Sequence, residues 1–216
     1  MASGARFNLV GGQIVRLGAS YRLAAANLFL SLLFFSYLWS NRSYFESQLA
    51  SDVFLVGAVP MGIFSLLRTP PIETQPSLAS IIAYLGMLAL PLMMKFDAKA
   101  PAPLYSLGAA LELLGVVLSQ SARIWMGRAF GILPANRGIV TQGPFRWVRH
   151  PVYSGWLILT TGRVLLSFRL INVLLALATV PFVIWRIALE ERLLQNDPAY
   201  QSYQAQVRFK LFPYLY

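Results

Sequence analysis

The sequence predicts an all-α integral membrane protein of five or six transmembrane helices, with a more polar C-terminal region on the cytoplasmic side. Three observations carry this prediction. Hydrophobic residues make up 57% of the chain and charged residues only 12%, with a mean hydropathy of +0.59. Soluble domains carry roughly 25% charged residues, so lipid must solvate much of this surface. Apolar stretches recur at 21–39, 53–67, 78–94, 104–126, 152–168 and 170–189, most of them near the roughly 17–25 residues that a span requires. The basic residues gather at the ends of these stretches and in the loops, as the positive-inside bias demands.

The first stretch follows Arg6, Arg16 and Arg22 but ends in Ser40-Asn41-Arg42-Ser43 without a small-x-small cleavage site, so it reads as a retained span. The second is short and contains Gly57, Pro60 and Gly62. It fits a tilted or broken helix, which leaves five spans as the alternative to six. Helices should stop at Thr69-Pro70-Pro71 and at Pro101-Ala102-Pro103. The last two stretches are separated only by Phe168-Arg169-Leu170 and should form a tight antiparallel hairpin. With six spans both termini share a side that also holds Arg68, Arg123, Arg128, Arg137, Arg146, Arg149, Arg186, Arg192, Arg208 and Lys210. The opposite side holds Arg42, Lys95, Lys99, Arg163 and Arg169. That asymmetry places the termini in the cytoplasm, and the expected location is a bacterial inner (plasma) membrane.

The net charge of +10 follows the spans rather than one soluble face, so contact with anionic membrane lipid explains it and nucleic acid is not an expected partner. The chain has no cysteine and a single histidine, His150. This removes disulfides, thiolate chemistry and a histidine-based metal centre from consideration, and no metal site is expected.

Residues 1–126 divide as N-terminal transmembrane helices from 127–216, a loop, a helical hairpin and a tail. Two segments interrupt the apolar pattern, Gly127–His150 and Glu190–Tyr216. The second should continue the last span as helix, break at Asn196-Asp197-Pro198, and resume as a short amphipathic helix over Tyr200–Val207. Three clusters here could carry chemistry. Arg149-His150-Pro151-Val152-Tyr153-Ser154-Gly155 opens the fifth stretch, with proline in the first turn, where its missing N–H costs nothing and the remaining free N–H groups favour an anionic group. The same residues would also serve as interfacial anchors. Arg186 and Glu190 stand at i, i+4 on one helical face and can pair, with Glu191 adjacent. Carboxylates beside a membrane are costly unless they are solvated or bind something, although a juxtamembrane charge cluster has the same pattern. Arg137-Gly138-Ile139-Val140-Thr141-Gln142-Gly143-Pro144-Phe145 combines glycines with an apolar lining that could hold a flat ring, or it is simply a turn. Within the spans, Glu112 and Arg163 fall at similar depth, and a structural ion pair is the favoured reading.

Taken together, Arg149-His150-Pro151-x-Tyr153-x-Gly155, the hairpin, Glu190-Glu191, Tyr200-x-x-Tyr203 and Phe212-Pro213 resemble the isoprenylcysteine carboxyl methyltransferase family. That family belongs to a wider group that includes phospholipid methyltransferases. The resemblance covers about 120–216. It implies S-adenosylmethionine-dependent methylation of a lipophilic or lipid-modified substrate (a carboxylate, amine or thiol) at the cytoplasmic face. It also implies cofactor contacts from Arg137, Gly138, Ile139, Val140, Phe145, His150, Pro151, Val152, Tyr153 and Glu190. Arg186 matches the arginine that faces the substrate, so Arg186, Glu190 and His150 are the candidate catalytic residues. Tyr200 and Tyr203 would roof the pocket. Phe145 departs from the pattern, since relatives often carry tyrosine there. An NADPH-dependent membrane reductase shares the His-x-x-Tyr-x-Gly start and a Pro-Tyr ending, but it would want basic residues where Glu190-Glu191 stands. A non-enzymatic membrane module is the remaining alternative.

Overall fold

The computed structural model describes residues 73–74, 77–95, 100–129 and 135–216. The stretches at 21–39 and 53–67, and Thr69-Pro70-Pro71, lie outside these residues. The described part is helical apart from a two-residue antiparallel bridge, β1 (Glu73–Thr74) with β2 (Ala135–Asn136), which pairs Glu73 with Asn136 and Thr74 with Ala135. Five α-helices follow in chain order: α1 (Leu78–Leu92), α2 (Ala102–Met126), α3 (Pro151–Leu166), α4 (Leu170–Leu194) and α5 (Pro198–Gln206).

Each boundary has a local cause. Ser77 and Ser80 exchange side chain-to-backbone hydrogen bonds at 3.1 Å and cap α1. Pro101 precedes α2, and Pro151 is the first residue of α3. Asp197 caps α5 by accepting from Ala199 N at 2.9 Å. The predicted break at Asn196-Asp197-Pro198 is therefore present, and α4 does run on past the apolar stretch to Leu194. Among the described residues two helices, α2 and α4, are long and apolar enough to cross a membrane. The 15 residues of α1 and the 16 of α3 rise only about 22–24 Å at ~1.5 Å per residue, short of the ~30 Å hydrocarbon thickness.

The helices are inside-out by the standard of a soluble protein. Leu107, Leu114, Val117 and Ile124 of α2 are exposed, while Gly108, Glu112, Gly115, Ser119 and Ala122 are buried. On α4, Leu170, Leu174 and Leu177 face outward, and Asn172, Thr179 and Arg186 face inward. Lipid as solvent accounts for this arrangement, because apolar faces gain nothing by turning away from it. The chain thus has membrane character.

Helices α2 and α3 form an antiparallel pair whose backbones nearly touch. A Cβ added at Gly108, Gly115, Gly155 or Gly162 would meet the facing helix at less than 3 Å. Gly155 therefore serves helix packing rather than backbone access to a ligand. Arg163 Nε meets Glu112 Oε1 at 3.0 Å inside this seam, which makes them the expected structural ion pair. Helices α1 and α4 form a second antiparallel pair. Far from the C-terminal region, the buried Asn172 side chain bonds both backbone groups of Lys95 (2.9 and 2.7 Å) and Ser167 O (2.9 Å). That clasp fixes the hairpin between α3 and α4.

Candidate functional site

At the other end of the bundle, the start of α3, the end of α4 and the tail after α5 converge on two adjacent carboxylates. Glu190 and Glu191 follow one another on a helix of ~3.6 residues per turn, so they point about 100° apart and serve different neighbours.

Glu190 faces the helix interior. Its Oε1 lies 3.0 Å from Arg186 Nε and accepts from Tyr153 Oη at 2.6 Å, and Arg186 Nε also donates to Tyr153 Oη at 3.2 Å. Arg186 is 1% exposed, reaches Ser80 O at 3.4 Å and lies over the Tyr84 ring at 5.7 Å. Arg123 of α2 is within electrostatic reach of Tyr84 and Tyr153.

Glu191 faces the tail. It receives Arg149 Nε and Nη2 at 2.9 Å each, His150 Nε2 at 3.2 Å, Tyr200 Oη at 3.1 Å and Lys210 Nζ at 3.0 Å. Arg149 spends its remaining donor, Nη1, on Val207 O and Arg208 O at 2.8 Å each. Beside it the backbone is zipped to the tail. Arg149 N donates to Phe209 O (2.9 Å), His150 N to Lys210 O (2.8 Å) and Ser154 Oγ to Leu211 O (2.5 Å). His150 touches both carboxylates, with Nδ1 at 3.8 Å from Glu190 Oε2, and stacks on Tyr153.

The tail groups are tuned to keep these bonds. Burial and the Glu191 charge raise the Tyr200 hydroxyl above its ordinary pKa, and burial does the same for Tyr203. Both therefore remain donors, Tyr203 to Phe145 O at 2.7 Å. Burial disfavours the Lys210 ammonium, but its hydrogen bond to Glu191 more than offsets this and raises its pKa.

Above Glu190 lies a half-open cavity of ≈ 750 Å³, a figure that includes the space open to solvent at its mouth. Arg137, Gly138, Ile139 and Val140 form one wall, and Phe145, Met126, Leu193 and Leu194 give it an apolar lining. Arg149 and Glu190 supply charge, His150 adds a polar ring, and Tyr200 and Tyr203 of α5 close it. The loop turns at Gly138, whose φ of +100° suits glycine. Seven of the sequence-derived cofactor positions thus line one cavity: Arg137, Gly138, Ile139, Val140, Phe145, His150 and Glu190.

Pro151, Val152 and Tyr153 do not line it. Pro151 is fully buried at the first turn of α3, and Val152 packs behind the wall on the Phe145–Tyr203 cluster. Tyr153 turns down toward Arg186. The aromatic face that the sequence offered to a ligand is spent on orienting Glu190. Arg186 lies beneath the cavity rather than in its lining.

Sequence reasoning missed Glu191 as a hub, Arg149 as the clip on the tail, and Asn136. The doublets Arg149-His150 and Glu190-Glu191 carried a usable signal, since two adjacent hydrogen-bonding side chains facing two adjacent carboxylates imply two separate pairings. Asn136 gave none.

The isoprenylcysteine carboxyl methyltransferase (ICMT) family model matches residues 105–196, the segment that holds α2, α3, α4 and both carboxylates. Over that segment the chain is similar to the isoprenylcysteine carboxyl methyltransferase family. It is 33% identical over 112 residues to a protein-S-isoprenylcysteine O-methyltransferase of Tribolium castaneum, covering 48% of this chain and 40% of that protein. It is also 33% identical over 95 residues to protein-S-isoprenylcysteine O-methyltransferase B of Arabidopsis thaliana, covering 41% and 48%. The chain therefore spans less than half the length of these curated relatives. A solved eukaryotic intramembrane isoprenylcysteine carboxyl methyltransferase superposes over 99% of this chain and 88% of its own, with TM-score 0.54 and 21% identity. That likeness shows the fold. The family-matched segment ends just before α5, so the tail that closes the cavity lies outside it.

Proposed function

We propose that the cavity binds S-adenosylmethionine and that the chain transfers its methyl group to a lipophilic acceptor, a carboxylate, amine or thiol on a hydrophobic or lipid-modified substrate. The reaction would take place at the cytoplasmic face of a membrane that the chain crosses five or six times with both termini inside, a bacterial inner membrane being the expected one. The observation that carries this reading is the shared cavity. The loop at 137–145, the start of α3, the end of α4 and the roof on α5 are distant in sequence and line one pocket.

The donor set fits such a nucleotide. Ile139, Val140, Phe145 and Leu193 offer an apolar slot for a heteroaromatic ring, with the Glu190 carboxylate (21% exposed) available to ribose hydroxyls or a cationic centre. Arg137 lines the same space and offers a guanidinium to a carboxylate. The cofactor, when bound, supplies a methyl group on a sulfonium sulfur whose charge is lost in the transfer. No protein nucleophile is then needed, in keeping with a chain that has no cysteine. The protein contributes alignment and dryness. Tyr200 and Tyr203 keep water from the roof, and Tyr153 and Arg186 hold Glu190 in one rotamer. With ring nitrogens near both carboxylates, His150 positions them rather than acting as a free base. Arg186, held beneath the cavity with Arg123 nearby, is placed to face an anionic acceptor.

The test is calorimetry in detergent with S-adenosylhomocysteine on the wild type and Glu190→Ala. Micromolar binding that Glu190→Ala weakens at least tenfold supports the reading, and no heat from the wild type overturns it. The Glu190 carboxylate in the lining disfavours an NADPH reductase, whose cofactor phosphates would meet its charge.

A further inference from the structure

We propose that Asn136 and Asp197 form a latch across the mouth of the cavity, a pair of positioning residues that ties the loop forming one wall to the helix forming the roof. The inference rests on the reading of this cavity as the cofactor site. Neither residue lines the cavity. Each immediately precedes a segment that does: Arg137–Val140 after Asn136, and Tyr200 and Tyr203 after Asp197.

Asn136 is 6% exposed and uses both ends of its carboxamide. Its Nδ2 donates to Asp197 Oδ2 at 2.7 Å, and its Oδ1 accepts from Gly138 N at 3.0 Å. Asp197 uses its other oxygen to accept from Ala199 N at 2.9 Å, in the first turn of α5. A carboxylate only accepts and an N–H only donates, so these neighbours fix the orientation of the amide. The result is one continuous relay: Gly138 N–H, the Asn136 amide, the Asp197 carboxylate, Ala199 N–H. It holds the left-handed turn at Gly138 and the start of α5 in fixed relation. The backbone of Asn136 is itself paired opposite Glu73 in the β1–β2 bridge. Cofactor exchange requires loop and roof to part, and this bond must break when they do. The hydrogen bond from Asn136 also holds the Asp197 carboxyl below its ordinary pKa, so it remains an acceptor at neutral pH.

The bond can be reversed without changing its shape. Asn136→Asp sets two carboxylates against each other while sparing the bond to Gly138. Asp197→Asn deprives either the cap or the latch of its acceptor. The double variant restores all three bonds, with donor and acceptor exchanged only in the one between positions 136 and 197. Full-length protein in detergent is read two ways: S-adenosylhomocysteine dissociation rate and affinity, and amide exchange of 137–140 and 198–206. Asn136→Asp is expected to weaken affinity about tenfold, mainly through faster dissociation, and to speed exchange in both segments together. The double variant is expected to return within about twofold of wild type. Wild-type behaviour of Asn136→Asp, or a double variant as impaired as the single, overturns the latch. A wild type that binds no S-adenosylhomocysteine instead sinks the cofactor reading, and the exchange data then decide whether the two segments are coupled.

Discussion

Glu191→Gln separates the architecture of the site from its chemistry. The carboxylate of Glu191 is 7% exposed and takes donors from Arg149, His150, Tyr200 and Lys210. Among the described residues it is the only carboxylate paired with Arg149, whose side chain is 4% exposed. Glutamine keeps the shape and one acceptor, but it removes the charge and turns an amide toward donors. Removing one partner of a buried pair costs about 3–5 kcal/mol, and the retained acceptor places this case near 3. Because the cost falls on the contact between α4 and the tail, it should appear as local opening, with the open-to-closed ratio rising roughly 150-fold at ~1.4 kcal/mol per tenfold. Hydrogen exchange in detergent measures this directly at the Arg149 and His150 amides, which donate to Phe209 O and Lys210 O. Amides along α2 and α3 provide the internal reference and should not change. Equal protection in both proteins would refute the hub. Equal loosening of the α2–α3 seam would show that the substitution unfolds the bundle rather than undocking the tail.

Gly138→Ala meets no atom within 4 Å yet must hold φ at +100°. It should cost about 1 kcal/mol, seen as a several-fold weaker S-adenosylhomocysteine titration with an unchanged far-UV spectrum. Glu112→Gln removes the charge that Arg163 meets in the helix seam and should lower global stability by about 3 kcal/mol. Its thermal midpoint should fall well below that of Gly138→Ala, with cofactor affinity at low temperature unaffected. Gly115→Val places a branched side chain against the backbone of Leu159 and Gly155 and should prevent recovery of folded protein by size exclusion. Lys210 has a folded pKa raised above its unfolded value of 10.5. Its stabilisation is therefore present below that value and lost as pH rises through the folded one. The thermal-midpoint gap between wild type and Lys210→Met should be constant near neutrality and close only above about pH 10.5.

Four of the apolar stretches became helices because hydrophobic run length is a local property. The break at Asp197 was equally legible, since a cap followed by proline needs no tertiary information. The shortness of α1 and α3 was less so: apolar residues continue into the loops after both, and only contacts such as Asn172 with Lys95 and Ser167 set where the helix stops. The α2–α3 seam could have been read from Gly108 and Gly115, seven apart, facing Gly155 and Gly162, also seven apart. Its polar member was visible as Glu112 and Arg163. In the site, residue types were legible but directions were not. Tyr153 and Gly155 looked like ligand contacts because they follow His150, yet helical geometry turns one toward Arg186 and the other toward Ser119. Asn136 carried no signal, since an asparagine in a loop is ordinary until its partner 61 residues away is known.

The two adjacent carboxylates explain why the site needs so much charge in so little space. A single glutamate could not both neutralise the buried Arg186 and anchor Arg149, whose guanidinium holds the tail. Successive positions on a helix solve this by geometry, sending one carboxylate inward and the other toward the roof. His150, at the first turn of α3, lies within reach of both, at 3.8 Å from Glu190 and 3.2 Å from Glu191. A change at Glu191 therefore reaches His150, whose other ring nitrogen lies beside the Glu190 carboxylate that faces the cavity.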